Sequence, residues 1–136
     1  MSLLLDTNVL SELVRRRPSP QVRARFAAER DDHVLCTSAI CVMELRFGVA
    51  RHPDGRRLWS RLERDVLADM LILPITAIAA VIAGDVRARL QRLGTPIGNE
   101  DVLIAATALE HGLTVATRNE NHFSRVAGLA VVNWWA

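Results

Sequence analysis

Short apolar runs that end on a polar residue or proline alternate along the whole chain with longer segments of helical periodicity, and this alternation restricts the fold more than any other feature. Leu3-Leu4-Leu5 closes on Asp6, Val34-Leu35-Cys36 on Thr37, Leu71-Ile72-Leu73 on Pro74, Thr114-Val115-Ala116 on Thr117, and Ala130-Val131-Val132 precedes Asn133. Each run is too short for a helix and is continuously apolar, the pattern of a strand covered on both faces.

Between the runs the spacing predicts helices. One covers Asn8 to Val14, and a second carries Val22 and Phe26 and ends near Asp31-Asp32. A third, capped by Thr37 or Ser38, repeats Ile40, Met43, Phe47 and Ala50, and a fourth repeats Leu58, Leu62 and Val66. A long helix places Ile78, Val81, Ile82, Val86, Leu90 and Leu93 on one stripe and stops at Gly94 and Pro96. The segment from Glu100 to His111 is nearly all apolar, so it must be buried, and Gly112 ends it. Strands alternating with helical segments predict an α/β fold, a three-layer α/β/α sandwich around a central, mostly parallel sheet. At 136 residues the chain suffices for one such domain, spanning 1–136, and is too short for two. Ligands of such sheets gather beyond the C-terminal ends of strands, near the point where strand order reverses, and Asp6 and Asn119 fall at strand ends.

Several function classes drop out on composition. The longest uncharged stretch, Met70 to Gly84, is shorter than the roughly 20 residues of a membrane helix and is interrupted by Pro74 and Thr76. The start of the chain reaches Asp6 before any signal-like apolar run develops, so a cytoplasmic protein is expected. Cys36 and Cys41 are two reduced, buried thiols on this reading, because no second pair completes a disulfide frame or a zinc site. Net charge is only +2, but every one of the 17 basic residues is arginine. The guanidinium fork grips phosphate bidentately, so this surface suits a polyanion, although a compositional bias explains it equally well.

Asp6, Glu44, Asp101 and Asn119 stand in otherwise apolar surroundings. A buried carboxylate without a partner costs several kcal/mol, and like charges sharing a pocket raise that cost, so a cation is the natural compensation. Oxygen ligands without His or Cys select Mg²⁺ or Mn²⁺ rather than zinc. Such an ion polarises a phosphodiester and activates a water against phosphorus, which points to nucleic-acid hydrolysis. Taken singly each residue has an ordinary explanation: Asp6 and Asp101 as helix caps, Glu44 as a solvated helix residue, Asn119 as a turn former. Only the combination is unusual.

Leu4-Leu5-Asp6-Thr7-Asn8-Val9-Leu10 resembles the opening of PIN domains. Ser38-Ala39-Ile40 through Glu44-Leu45-Arg46-Phe47-Gly48, and Gly98-Asn99-Glu100-Asp101 with Leu103-Ile104-Ala105-Ala106, look like that family's second and third acidic blocks in order and spacing. The tail, with Gly112-Leu113-Thr114, Thr117-Arg118-Asn119, Phe123, Gly128-Leu129 and Asn133-Trp134, is similar to VapC-type toxins, so the resemblance spans essentially the whole chain. It implies a metal-dependent endoribonuclease, the toxin of a type II toxin–antitoxin system, with Mg²⁺ or Mn²⁺ as cofactor. It implies Asp6, Glu44 and Asp101 as metal-binding acids and Asn119 at the fourth catalytic position, while Glu100 matches no family ligand. Many relatives carry Asp where Asn119 stands, which leaves open whether this less negative pocket holds one ion or two. Thr7, Asn8, Ser38 and Thr117 are candidates for holding carboxylates or waters in place.

The implied partners are RNA, a cognate VapB-type antitoxin that wraps and inhibits the toxin, and a second copy in a homodimer. An antitoxin arginine would stand where the cation stands. Arg46, Arg51, Arg118 and Arg125 are candidates for holding RNA phosphates, with solvated surface arginine the plainer reading of each. Trp134 and Trp135 suit either a partner surface or the core. Two alternatives within the fold stay open, a nuclease of RNA maturation and an inactive binding module. A phosphotransfer receiver domain is set aside because no lysine is present, and an Asp-x-Asp phosphatase because Asn8 replaces the second acid.

Overall fold

Leu3–Leu5, with no solvent exposure at any of its three leucines, forms the central strand β1 of a five-stranded parallel sheet. In the computed structural model, which describes residues 2–136, the elements follow in the order the periodicity predicts. After β1 come α1 (Thr7–Leu13), α2 (Pro20–Asp32), β2 (Cys36–Ser38), α3 (Ala39–Ala50) and α4 (Gly55–Leu62), which runs into a π-helical turn at Glu63–Leu67. Then follow β3 (Leu71–Leu73), α5 (Ala77–Arg92), α6 (Asn99–His111), β4 (Thr114–Ala116), α7 (Glu120–Phe123) and β5 (Val131–Val132). Every neighbouring strand pair is parallel and the order is β3-β2-β1-β4-β5. The sheet is therefore parallel throughout, and its fully buried central strands are those of a sheet covered by helices on both faces. Among the described residues no helix is long and apolar enough to cross a membrane.

Strands β2 and β3 lie on one side of β1 and β4 and β5 on the other, so the winding reverses between β1 and β4. Leu5 pairs with Ala116, which sets the next residues, Asp6 and Thr117, side by side at the crevice that this reversal opens.

Two local expectations are corrected. The second strand is Cys36–Ser38 rather than Val34 to Cys36; Val34 is 61% exposed, while Thr37 and Ser38 are fully buried. The strand accepts these polar residues because Thr37 Oγ1 donates to Leu5 O at 2.8 Å and Ser38 Oγ accepts from Ile40 N at 3.0 Å as the cap of α3. On α5 half of the stripe of large residues faces inward: Leu90 is buried and Ile82 and Val86 pack against the core, whereas Ile78, Val81 and Leu93 are 62%, 68% and 58% exposed. The buried face also includes Ala79 and Ala83, which cluster with Val102 and Ala106 of α6, so small side chains bring the two helix backbones close.

Thr37→Val keeps the side-chain volume and removes the donor to Leu5 O, leaving a buried carbonyl unsatisfied. The expected loss is about 1–2 kcal/mol of unfolding free energy. Urea denaturation measures it, and an unchanged midpoint would show that the hydroxyl contributes nothing to the β1–β2 junction.

Candidate metal centre

Asp6 leaves β1 and becomes the N-cap of α1, its Oδ1 accepting from Thr7 N at 2.8 Å. Its Oδ2 accepts from Thr117 Oγ1 at 2.8 Å and from Asn8 Nδ2 at 3.1 Å. The capping reading and the site reading are therefore both true of Asp6. Asn8 Oδ1 accepts from Arg118 N at 3.1 Å and Thr117 Oγ1 from Asn119 N at 2.9 Å, so the loop after β4 is tied to the loop after β1 through the same carboxylate.

Glu44 reaches the crevice from α3, where Thr7 Oγ1 donates to its Oε1 at 2.7 Å. Asp101, in the first turn of α6, comes from a third direction. Its Oδ2 lies 2.8 Å from His122 Nδ1 and 3.4 Å from Asn119 Nδ2, and Asn119 Nδ2 is 2.9 Å from the same ring nitrogen. A carboxylate only accepts, so a His122–Asp101 hydrogen bond requires the proton on Nδ1 of His122, whereas a bond donated by Asn119 Nδ2 requires that nitrogen bare, and the two contacts belong to different tautomers.

These residues line an open cleft of about 500 Å³ whose walls include Asp6, Thr7, Asn8, Glu44, Asp101 and Asn119, with Arg15, Arg118 and Trp135 at its rim. Asp6 and Glu44 form the tight part of the acidic cluster, together with Cys41, their ligand atoms lying within 4.8 Å of one another. Asp101 faces the same cleft from outside that group, tethered to α7.

Of the remaining candidates, Ser38 spends its hydroxyl on capping α3, the helix that carries Glu44. Arg118 lines the cleft, whereas Arg46 lies over Trp59 at 5.0 Å, Arg51 over Phe47 at 4.3 Å, and Arg125 donates to Pro96 O. Glu100 is exposed and is not among the lining residues. Trp134 is buried in the core and Trp135 faces the cleft, so the two neighbours have opposite fates.

His122 was not singled out by the sequence pattern. Its position three residues after Asn119, one helical turn on, was the only available signal. Glu12 is a second unflagged acid, buried at 6% exposure, where it accepts from Ser19 N and Arg15 Nη1.

Electrostatics tests the fit to a cation. Burial lifts the Asp6 carboxyl from its ordinary 3.8 to about 6; hydrogen bonds from Thr117 and Thr7 oppose the rise, and the charges of Asp101 and Glu44 add to it. Ionised Asp6 is thus disfavoured by its burial and by the two acids beside it, a conflict a divalent cation relieves. Cys41 does not compete as a ligand, because burial pushes its thiol up to about 11 and the protonated sulfur faces Asp6 Oδ1 at 4.0 Å. The donors that remain are carboxylate and amide oxygens, the set that Mg²⁺ and Mn²⁺ prefer.

Comparisons with known proteins identify the family. Residues 3–129 match the family model of the PIN domain, and the chain belongs to that family. Within it the chain falls among the VapC proteins. It is 41% identical over 138 residues to VapC ribonuclease Y4jK of Sinorhizobium fredii, covering 98% of this chain and 97% of that protein. It is 33% identical to the tRNA(fMet)-specific endonuclease VapC of Shigella flexneri, covering 98% of each. The VapBC2 structure from Rickettsia felis, solved bound to a DNA fragment from its promoter, contains a chain that superposes with a TM-score of 0.90 at 27% identity, covering 98% of this chain and 99% of that one.

In the metal-free protein the raised Asp6 carboxyl makes folding less favourable once the group must ionise. The unfolded group loses its proton near 3.8 and the folded one near 6, so this contribution declines as pH rises between those values and is constant above them. Asp6→Asn removes the titration. The stability of the variant relative to wild type is therefore expected to rise as pH goes from about 4 to about 6 and to level off above. Urea unfolding in EDTA across this range checks it, and a difference independent of pH would contradict the assignment.

Proposed function

We propose that this chain is an endoribonuclease that hydrolyses RNA phosphodiester bonds with a divalent metal ion, Mg²⁺ with Mn²⁺ as a substitute, and that it is the toxin of a type II toxin–antitoxin pair. The observation that carries this reading is the convergence of Asp6, Glu44 and Asp101, from three separate elements, on one open crevice at the winding reversal of the sheet.

A bound cation there supplies charge neutralisation for the phosphodiester and acidity for an attacking water. Asp6, Glu44 and Asp101 hold it, and Asn119 completes the polar floor. Thr7, Asn8 and Thr117 hold the carboxylates in place by the hydrogen bonds described, and Ser38 does so indirectly through the cap of α3. Arg118 and Arg15 at the rim draw the polyanion towards a floor that would otherwise repel it. Curated relatives named as ribonucleases support RNA as the substrate, and the cytoplasm is where that substrate resides.

An antitoxin partner is supported by relatives solved as VapBC complexes and by the surface itself. The acidic cleft shares Ser11, Arg15 and Glu44 with a larger groove of about 830 Å³, whose apolar floor of Val14, Leu45, Val49 and Leu58 is edged by Arg16, Arg57 and Arg61. Such a groove accepts an acidic, amphipathic segment that ends by inserting an arginine between the carboxylates. Met43 and Phe47 on α3, Leu71 and Ile72 on the edge strand, and Ile78 and Val81 on α5 are exposed apolar residues that a homodimer would cover.

Purified, antitoxin-free protein is expected to cut cellular RNA into discrete products with Mg²⁺ or Mn²⁺ and to be silent in EDTA. Asp101→Asn is expected to abolish cleavage while leaving the thermal transition intact. Full activity in the variant, or in EDTA, would overturn the metal assignment, and no cleavage by folded wild type under any condition would favour an inactive binding module.

A further inference from the structure

Trp135 is the second-last residue and packs partly against the core, yet its ring is one wall of the acidic cleft. The ring is held on two sides. Trp135 N donates to Asn133 Oδ1 at 2.8 Å, fixing the backbone, and the Arg118 guanidinium lies over the ring with Cζ 5.1 Å from its centroid. Arg118 is positioned in turn, its backbone N donating to Asn8 Oδ1, and Asn8 Nδ2 bonds Asp6. A guanidinium thus lies over an indole and is anchored through its backbone to the network that holds the first carboxylate.

Arg118 is exposed, and Trp135, although it packs partly against the core, also lines the cleft. Aromatic faces and guanidinium planes are the surfaces on which unpaired bases stack, each such contact contributing roughly 1–3 kcal/mol with little regard to base identity. Duplex RNA offers no free base face, whereas a nucleotide turned out of a loop does.

We propose that the Arg118–Trp135 pair is a nucleobase subsite that takes one unstacked nucleotide of a single-stranded RNA segment and so places a neighbouring phosphodiester over Asp6, Glu44 and Asp101. This rests on the ribonuclease reading above and adds to it a selection for unpaired RNA.

The test uses binding, so that it stands apart from cleavage. The full chain carrying Asp101→Asn is titrated with a short fluorescent single-stranded oligoribonucleotide and with a set in which one nucleotide at a time is abasic. Trp135→Ala in this background is expected to weaken binding by about 5- to 100-fold, and Trp135→Phe to recover most of the loss. One abasic position is expected to cost a similar factor against Trp135 and almost nothing against Trp135→Ala. A ring that merely supports the fold would lower affinity for every oligonucleotide alike and show no such coupling, which would overturn the proposal. So would RNA binding unchanged by Trp135→Ala, including the case in which that variant loses its hold on an antitoxin peptide instead. If Trp135→Ala does not fold, the abasic scan on the parent chain decides, since the absence of any position-specific loss also sinks the subsite. A wild-type protein that shows the coupled binding but cuts no RNA would refute the ribonuclease reading and leave the subsite standing.

Discussion

Three carboxylates held in one crevice, against their mutual repulsion and against the burial of Asp6, are the constraint around which the rest of the site is arranged. Burial raises the Asp6 carboxyl to about 6 in spite of its hydrogen bonds, and Glu44 and Asp101 press in the same direction. What keeps the group usable as an anion is a ring of donors, Thr7 N, Asn8 Nδ2 and Thr117 Oγ1, arriving from two loops that follow adjacent parallel strands. The β1–β4 register supplies that adjacency, and the reversal of winding between these strands leaves the space above them free of a crossing helix. Fold and charge are thus one problem, because the only place in this sheet where carboxylates can gather while still meeting solvent is the crevice its topology opens.

The same economy explains the outer parts. Helix α3 starts immediately after β2 and brings Glu44 over the crevice from the side, while α6 brings Asp101 from the opposite direction with α7 beneath it. His122 and Asn119 tether Asp101, so the third acid is aimed by the four-residue helix α7, which is anchored in the core by the fully buried Phe123. At the rim the sign of the charge changes, with Arg15 and Arg118 facing the acids. A phosphodiester therefore meets attraction first and an anionic floor second, an order that only makes sense if a cation stands between them.

Much of this was legible in the residues. Short apolar runs ended by Asp6, Thr117 and Pro74 marked strand ends correctly, and the order of helices followed from their spacing. The failures share one cause. Periodicity weighs residues by size, so it placed Ile78 and Val81 inward with Ile82, Val86 and Leu90, whereas α5 approaches α6 through Ala79 and Ala83 and leaves Ile78 and Val81 outside. Polarity likewise argued against Thr37 and Ser38 as strand, although both are fully buried once Leu5 O and Ile40 N provide partners. His122 escaped notice, and Trp135 could not be assigned between a partner surface and the core, because a histidine on a surface turn and a tryptophan at a chain end look ordinary until their neighbours are known.

By itself the sequence determined the α/β class and the order of the strands and main helices, and it singled out the acids as candidates, because these depend on local patterns: apolar runs, caps, breakers and charges misplaced in apolar surroundings. Only the tertiary structure decided which of those groups meet. Asp6 and Thr117 are 111 residues apart and bond at 2.8 Å because two parallel strands pair in one register, and Trp135 joins them because the last strand brings the chain end back beside β4. Proximity between distant residues depends on pairing and packing, and no window of the sequence contains both partners.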